Sequence, residues 1–175
     1  MANRFDTDKT HKAMKKLLYY SLLILTTGCV TIRSNVNKDA IPKFTNILVV
    51  LEMKKASDKA ANAYLSAFPE KYNYSVCAIA HDELSFESLQ DKIQKQAEIC
   101  KSEAILLVKT TNLGTYNYYY GNYPNSTPTT FYAEMSLLSD EKPFWKAQVE
   151  GGNGEGGVDP KNMVNRLILD GVIGK

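Results

Sequence analysis

Residues Asn46–Met53 read Asn-Ile-Leu-Val-Val-Leu-Glu-Met and form the first strand of the fold that the sequence predicts. Their aliphatic run shows no alternation with polar residues, which is typical of a strand that is covered on both faces. Ser57 follows as a candidate N-cap of an amphipathic helix, with Pro69 near its end. A buried strand followed by such a helix favours an α/β fold.

The chain then repeats this pattern. Asn73–Ala80 alternates as a second strand, Ser85 is a candidate N-cap for a second helix, and Ala104–Val108 is another buried strand. This order predicts parallel strands joined by helical crossovers. The apolar positions of the second helix are Phe86, Leu89, Ile93, Ala97 and Cys100.

The later part of the chain changes character. Phe131–Leu138 alternates with period two, which indicates an antiparallel strand, and Pro143–Glu150 completes a hairpin. Asp159 and Pro160 begin a final helix as N-cap and first-turn proline. We therefore predict one α/β domain over residues 44–175, with a mixed sheet of about five strands in the order β-α-β-α-β-β-β-α and three helices.

The N-terminal region has the pattern of an export signal. Lys15 and Lys16 precede the uncharged run Leu17–Thr27, which stops at the small residue Gly28 and at Cys29. A basic start, a short apolar centre and small residues at the cleavage point define such signals. The run is shorter than the roughly 20 apolar residues of a membrane span. Residues 1–28 are the predicted signal peptide, cleaved after Gly28, with Met14 as a possible true start.

The sequence Leu25-Thr26-Thr27-Gly28-Cys29 resembles the lipobox of bacterial lipoproteins. This resemblance implies that Cys29 receives a diacylglycerol and becomes an acylated N-terminus. Val30, in place of aspartate, implies delivery to the outer membrane, facing the periplasm. The polar residues 29–43 are then expected to be a tether, and the membrane is a partner through the lipid.

The charge of the chain argues against nucleic acid and nucleotides as partners. The chain has 21 basic and 19 acidic residues, and without residues 1–28 it has 16 and 17, so there is no basic footprint for nucleic acid. Residues 152–157 match G-x-G-x-x-G, but Glu155 and Asp159 place negative charge where a pyrophosphate would bind. We expect no nucleotide and no other cofactor.

Cys77 and Cys100 remain beside the lipidated cysteine. An envelope location would allow a disulfide between them. Their apolar periodic positions favour two buried thiols instead, because free cysteine behaves as a small apolar residue. No Cys-x-x-Cys motif indicates a redox site.

One candidate site follows the predicted parallel strands. Glu52 ends the first strand and His81, Asp82 and Glu83 follow the second, so the four side chains could line one crevice. His81 is the only histidine after residue 28, which leaves too few ligands for a typical zinc site, and we predict no metal. The structural alternative is a turn in which Asp82 or Ser85 caps the next helix.

The second candidate site is a cluster of tyrosines. Alternating tyrosines on an extended hairpin can shield the edge of a sheet, or they can form an aromatic contact surface, since tyrosine offers a large rigid area with a polar tip. The cluster consists of Tyr116, Tyr118, Tyr119, Tyr120, Tyr123 and Tyr132.

Several segments together resemble one envelope superfamily. They are Ile47–Val50, Lys101–Val108, Met135–Asp140 and Pro143–Trp145, which precede a terminal helix. The superfamily contains curli-secretion lipoproteins, penicillin-binding-protein activator lipoproteins and the N-terminal domain of TolB. The resemblance implies an α/β envelope domain, but fold does not carry function across such a group. We expect a non-enzymatic interaction or assembly module that contacts another envelope protein. The alternative is a small envelope hydrolase working from the crevice.

Overall fold

The computed structural model describes residues 31–53, 57–82, 84–111, 130–150 and 158–174. Nine helices and strands lie in these ranges, with short 3-10 turns at Lys38–Ala40 and Glu70–Tyr72. In chain order they are β1 (Thr31–Val36), β2 (Asn46–Met53), α1 (Asp58–Leu65), β3 (Ser75–Asp82), α2 (Leu89–Cys100), β4 (Ala104–Thr111), β5 (Thr130–Leu137), β6 (Asp140–Glu150) and α3 (Pro160–Leu169).

The six strands form one mixed sheet in the order β1-β6-β5-β4-β2-β3. β2 is parallel to both β3 and β4, and the other neighbours are antiparallel. The predicted α/β class, the parallel crossovers and the later hairpin are confirmed. The predicted count of about five strands is wrong by one, because β1 adds a strand at the edge.

The expected tether is the source of that difference. Residues 31–36 pair with β6 along their whole length, with Ser34 opposite Ala147 and Val36 opposite Trp145. Ile32, Ser34 and Val36 are half-buried, while the residues between them are exposed. Two apolar residues in six are too few to reveal a strand by periodicity, so the pairing depends on what the rest of the fold offers to β1.

A polar network connects β1 and β6 to α3. The Trp145 side chain is fully buried, and its indole Nε1 donates to Asp170 Oδ2 at 2.7 Å. Arg166 Nε donates to Ser34 Oγ at 2.7 Å and to Asp170 Oδ2 at 3.2 Å. Arg166 Nη2 also forms an ion pair with Asp170 Oδ1 at 3.1 Å. The buried indole is therefore satisfied, as buried tryptophans usually are, and Ser34 is held by a residue of α3.

Helices cover the two faces of the sheet unequally. Ile47, Val49 and Leu51 face the larger core, where α1 and α3 pack, while Leu48 and Val50 face the smaller core under α2. Because β2 is buried on both sides, its sequence is a continuous aliphatic run. The smaller core is completed by Ile79 from β3 and by Ile93 and Ala97 from α2.

Two of the three predicted helix starts are confirmed. The side chains of Ser57 and Asp159 accept backbone N–H groups at the starts of α1 and α3. The prediction for α2 is wrong: Ser88 is the N-cap, and its Oγ accepts from the backbone N–H of Asp91 at 3.1 Å. Phe86 therefore precedes the helix, and its side chain is exposed instead of belonging to the apolar stripe.

The preference for two free thiols is also wrong. Cys77 and Cys100 form a disulfide bridge, with 6.4 Å between their Cα atoms. Cys77 lies on the face of β3 that α2 covers, and Cys100 is the last residue of α2. Both cysteines occupy apolar periodic positions in the sequence, but periodicity shows which face a residue occupies and not which residue lies opposite. The bridge fastens the end of α2 to the sheet.

Replacing both cysteines by alanine should lower the free energy of unfolding by about 3 kcal/mol, because a bridge across 23 residues restricts the unfolded chain. Denaturant unfolding followed by Trp145 fluorescence measures the change. Reductant should produce a similar loss in the wild type and none in Cys77→Ala/Cys100→Ala. Equal stability of wild type and variant would contradict the bridge.

Candidate functional site

One end of the sheet contains the carboxyl ends of the three parallel strands, and we call it the loop end. β2, β3, β4 and β6 finish there, and β1 and β5 begin there. The terminal residues that define the loop end are Met53, Asp82, Thr111, Thr130, Glu150 and Thr31. The described residues of the two predicted candidate sites, Glu52, His81, Asp82 and Tyr132, all lie near this end of the sheet.

The structure brings Glu52 and His81 together. They lie opposite each other in the parallel β2–β3 register, on the face that α2 covers. His81 is 8% exposed, and its Nδ1 is buried without a hydrogen-bond partner among the described residues. The two side chains therefore lie side by side on this face of the sheet.

The structure does not add Asp82 to this pair. Side chains alternate along a strand, so Asp82 belongs to the opposite face from His81. Its Oδ1 accepts the backbone N–H of Leu84 at 2.9 Å, which makes it the first residue of a turn. This agrees with the structural alternative of a turn, although neither Asp82 nor Ser85 is the helix cap. Glu83 lies outside the described residues.

Glu52 and His81 belong to a row of polar side chains across the sheet. In register, Glu52 is beside Lys109, Lys109 beside Tyr132, and Tyr132 beside Gln148, which pairs with Arg33. Lys109 Nζ lies 5.4 Å from the centre of the Tyr132 ring, within the range of a cation–π contact. The row joins the crevice to the one tyrosine of the cluster that the structure describes.

Sequence reasoning missed Lys109 and Arg33. Lys109 was detectable, since it directly follows the buried run Ala104–Val108 near the end of a parallel strand. Arg33 was not detectable, because residues 31–36 have the polar sequence of a tether. Lys109 and Arg33 add two positive charges to the row. The predicted crevice contained three carboxylates and neither of these cations.

The chemistry available to the row is limited. Within the described ranges, no three histidine, cysteine, aspartate or glutamate side chains are grouped so that they could hold a metal ion. A general base is normally oriented by a second group, and His81 Nδ1 has none in the described part of the chain. The described part of the row does offer aromatic and charged contacts, as between Lys109 and Tyr132.

Five of the six tyrosines lie outside the described residues, and Tyr132 is half-buried in β5. The structure does fix the two points between which they occur, since Thr111 of β4 pairs with Thr130 of β5. The intervening residues 112–129 include no charged residue. We call residues 112–129 the tyrosine segment, and it leaves from and returns to the loop end.

A separate groove lies between α2 and the sheet. Its volume is about 560 Å³, and both apolar and acidic side chains line it, among them Ile93, Ile105, Leu107, Glu98 and Glu134. None of the described residues predicted for either site lines this groove. In the described part of the chain, no helix is long and apolar enough to cross a membrane.

A scan against models of protein families and a search of curated proteins each found no match. Among solved structures, the chain is similar to the dodecamer of a PelC point variant from Paraburkholderia phytofirmans, with 12% identity, a TM-score of 0.42, and coverage of 80% of this chain and 96% of that chain. A second PelC dodecamer structure from the same organism has 14% identity, a TM-score of 0.39 and coverages of 81% and 94%. A likeness this distant carries no argument about function.

The loop-end geometry can be tested by cross-linking. Directly opposed residues of antiparallel strands have Cα atoms about 4.5–5.5 Å apart, within reach of a disulfide. Thr111→Cys/Thr130→Cys, made with Cys29→Ser, should therefore oxidise to an intramolecular bridge, detected by the mass of the linked peptides. Thr111→Cys/Ser139→Cys, which spans both ends of the sheet, should not bridge. Failure of the first pair would contradict the register.

Proposed function

We propose that the protein is a lipid-anchored lipoprotein of the cell envelope and acts as a non-enzymatic interaction or assembly module. In this proposal the tyrosine segment, together with Tyr132, contacts another envelope protein. The observation that carries the proposal is the connection between β4 and β5, where a long uncharged segment joins two strands that are already paired at Thr111 and Thr130.

The length of this connection favours a function. Paired antiparallel strands need a loop of only about 2–5 residues, and much longer loops inside compact domains are usually functional or disordered linkers. Residues 112–129 far exceed that need. A segment that closes the hairpin without structural necessity is a natural place for an interaction surface.

The composition of the segment supports recognition of a protein. Tyrosine and asparagine dominate it, and glycine, serine and threonine make up much of the remainder. Loops that bind proteins use the same combination, because tyrosine supplies rigid contact area and small polar residues supply adaptable hydrogen bonds. Lys109 and Tyr132 extend this chemistry onto the sheet itself.

The disulfide supports the proposed compartment. Bridges form and persist in oxidising compartments such as the bacterial periplasm, and they are rare in the cytosol. The Cys77–Cys100 bridge therefore agrees with export by the N-terminal signal. The lipobox-like sequence would then leave the mature chain attached through Cys29, and Val30 favours the outer membrane.

The position of β1 indicates where the proposed partner would be located. β1 begins at Thr31, two residues after Cys29, and it begins at the loop end. If Cys29 carries the lipid, the tyrosine segment leaves the sheet on the side of the domain that faces the membrane. The proposed partner is therefore an envelope protein that is itself embedded in or bound to that membrane.

The alternative remains a small envelope hydrolase. The adjacency of Glu52 and His81, with a buried and unpartnered Nδ1, is the observation within the described residues that favours it. Against it, Asp82 is engaged in a turn, and Glu52 lies between His81 and the cation Lys109 in the register. Both residues are explained as part of the polar row across the sheet, and the proposed partner contact is made by the tyrosine segment and Tyr132 without them.

Changing the six tyrosines to serine should reduce recovery of the cross-linked partner at least about tenfold, since aromatic anchors carry most interface energy. The measurement is quantitative mass spectrometry after cross-linking in intact cells and purification of the protein. Glu52→Gln/His81→Asn is the control and should recover the partner as the wild type does.

Two results would contradict the proposal. Unchanged partners in the tyrosine variant would remove the segment from the contact. Loss of the partner in the control variant alone would move the contact, or a substrate, to the crevice and favour the alternative. Thermal unfolding of each variant shows that differences do not come from loss of the fold.

A further inference from the structure

The loop after β3 holds two large apolar side chains in solvent. Leu84 is 86% exposed, and Phe86 is as exposed as in an extended peptide, at 109%. We propose that Leu84 and Phe86 insert into the surface of the lipid bilayer and form a second membrane contact beside the lipid on Cys29. This inference deepens the proposed function and rests on its lipid anchor.

Hydrogen bonds keep the loop in this conformation. Asp82 accepts the backbone N–H of Leu84 through Oδ1 and that of Ser85 through its carbonyl oxygen, both at 2.9 Å. Ser85 Oγ accepts from the backbone N–H of Glu87 at 3.3 Å, and Ser88 then caps α2. The turn and the cap hold the loop from both sides. This turn directs the two apolar side chains into solvent. Their exposure to water costs free energy, which covering them would recover.

The position of the loop identifies the bilayer as the cover. β3 and β1 are the outermost strands of the sheet, and the loop leaves β3 at the same end at which the chain enters β1. Strands are spaced about 4.8 Å apart, so the two corners lie about 24 Å from each other. A lipid at one corner alone would let the domain swing. A second contact at the other corner would fix the loop end against the membrane.

Residue type and charge indicate how the contact forms. Phenylalanine and leucine are favoured on the membrane-facing side of interfacial segments. The charged groups flanking the loop in the described residues are the acidic side chains of Asp82 and Glu87, which anionic lipid would not attract. Insertion therefore depends on the apolar side chains and should occur in zwitterionic phosphatidylcholine without anionic lipid.

The test places a tryptophan at each end of the sheet. Phe86→Trp reports on the loop, and Leu138→Trp, in the exposed turn between β5 and β6, is the matched control at the opposite end. Each full-length variant is purified from membranes, its mass is measured to establish lipidation, and it is reconstituted into phosphatidylcholine vesicles with brominated acyl chains. The wild type supplies the background from Trp145. Both substitutions are at exposed positions, and unfolding midpoints check the fold.

Insertion by about 5–10 Å brings an indole to the bromines, so the Phe86→Trp signal should be quenched at least about twofold more than the Leu138→Trp signal. Equal quenching, or no quenching of Phe86→Trp in lipidated protein, overturns the inference, including the case in which a protein covers the loop. A mass without lipid instead overturns the anchor of the proposed function. The comparison is then repeated with a maleimide lipid on Cys29, since Cys77 and Cys100 are bridged.

Discussion

The pairing of β1 with β6 is the interaction on which the functional geometry depends. It places Thr31 at the loop end, beside Glu150. The chain therefore enters the sheet only two residues after Cys29. A flexible run of about 13 residues would span roughly 20 Å, whereas two residues reach at most about 7 Å. The lipid proposed on Cys29 would therefore hold a tethered domain loosely and this domain closely.

The network around Trp145 explains why β1 can pair despite its weak sequence. Ser34 receives a hydrogen bond from Arg166, and Asp170 binds both Arg166 and the Trp145 indole. A buried indole without this partner would carry a desolvation cost of about 1–3 kcal/mol. Asp170 and Arg166 therefore satisfy the buried indole and hold β1 through Ser34. The same contacts fix α3 on the sheet.

Elements whose support comes from neighbouring residues could be predicted from the sequence. Elements whose support comes from residues distant in the chain could not. β2 could be predicted because its burial on both faces is written into consecutive residues. β1 could not, since its support comes from Arg166, 132 residues further along the chain. The Cys77–Cys100 bridge is similar: periodicity indicated both burials, but only folding places one residue opposite the other. Ser85 and Ser88 are chemically equal as caps, and the structure uses the second, with α2 beginning at Leu89.

The candidate site was predictable to the same extent. Strand ends located Glu52 and His81, because parallel strands share a carboxyl end, and the register makes them neighbours. The continuation through Lys109 and Tyr132 needed the antiparallel partners of β4, which local patterns do not specify. Asp82 shows the opposite case, where a residue near the site is used by a turn. The result is a scaffold in which the polar row and the start of β1 at Thr31 lie at the same end of the sheet.

Hydrogen–deuterium exchange of the purified protein measures whether β1 is paired with β6 in solution. In an edge strand about every second amide bonds to the neighbour, so about half of the amides in residues 31–36 should be protected to a degree similar to those of β6. Residues 41–44, which the described structure places outside helices and strands, are the internal reference. Protection of β1 would support the close attachment of the loop end. Exchange of residues 31–36 at the rate of an unstructured chain would contradict it and restore the tether.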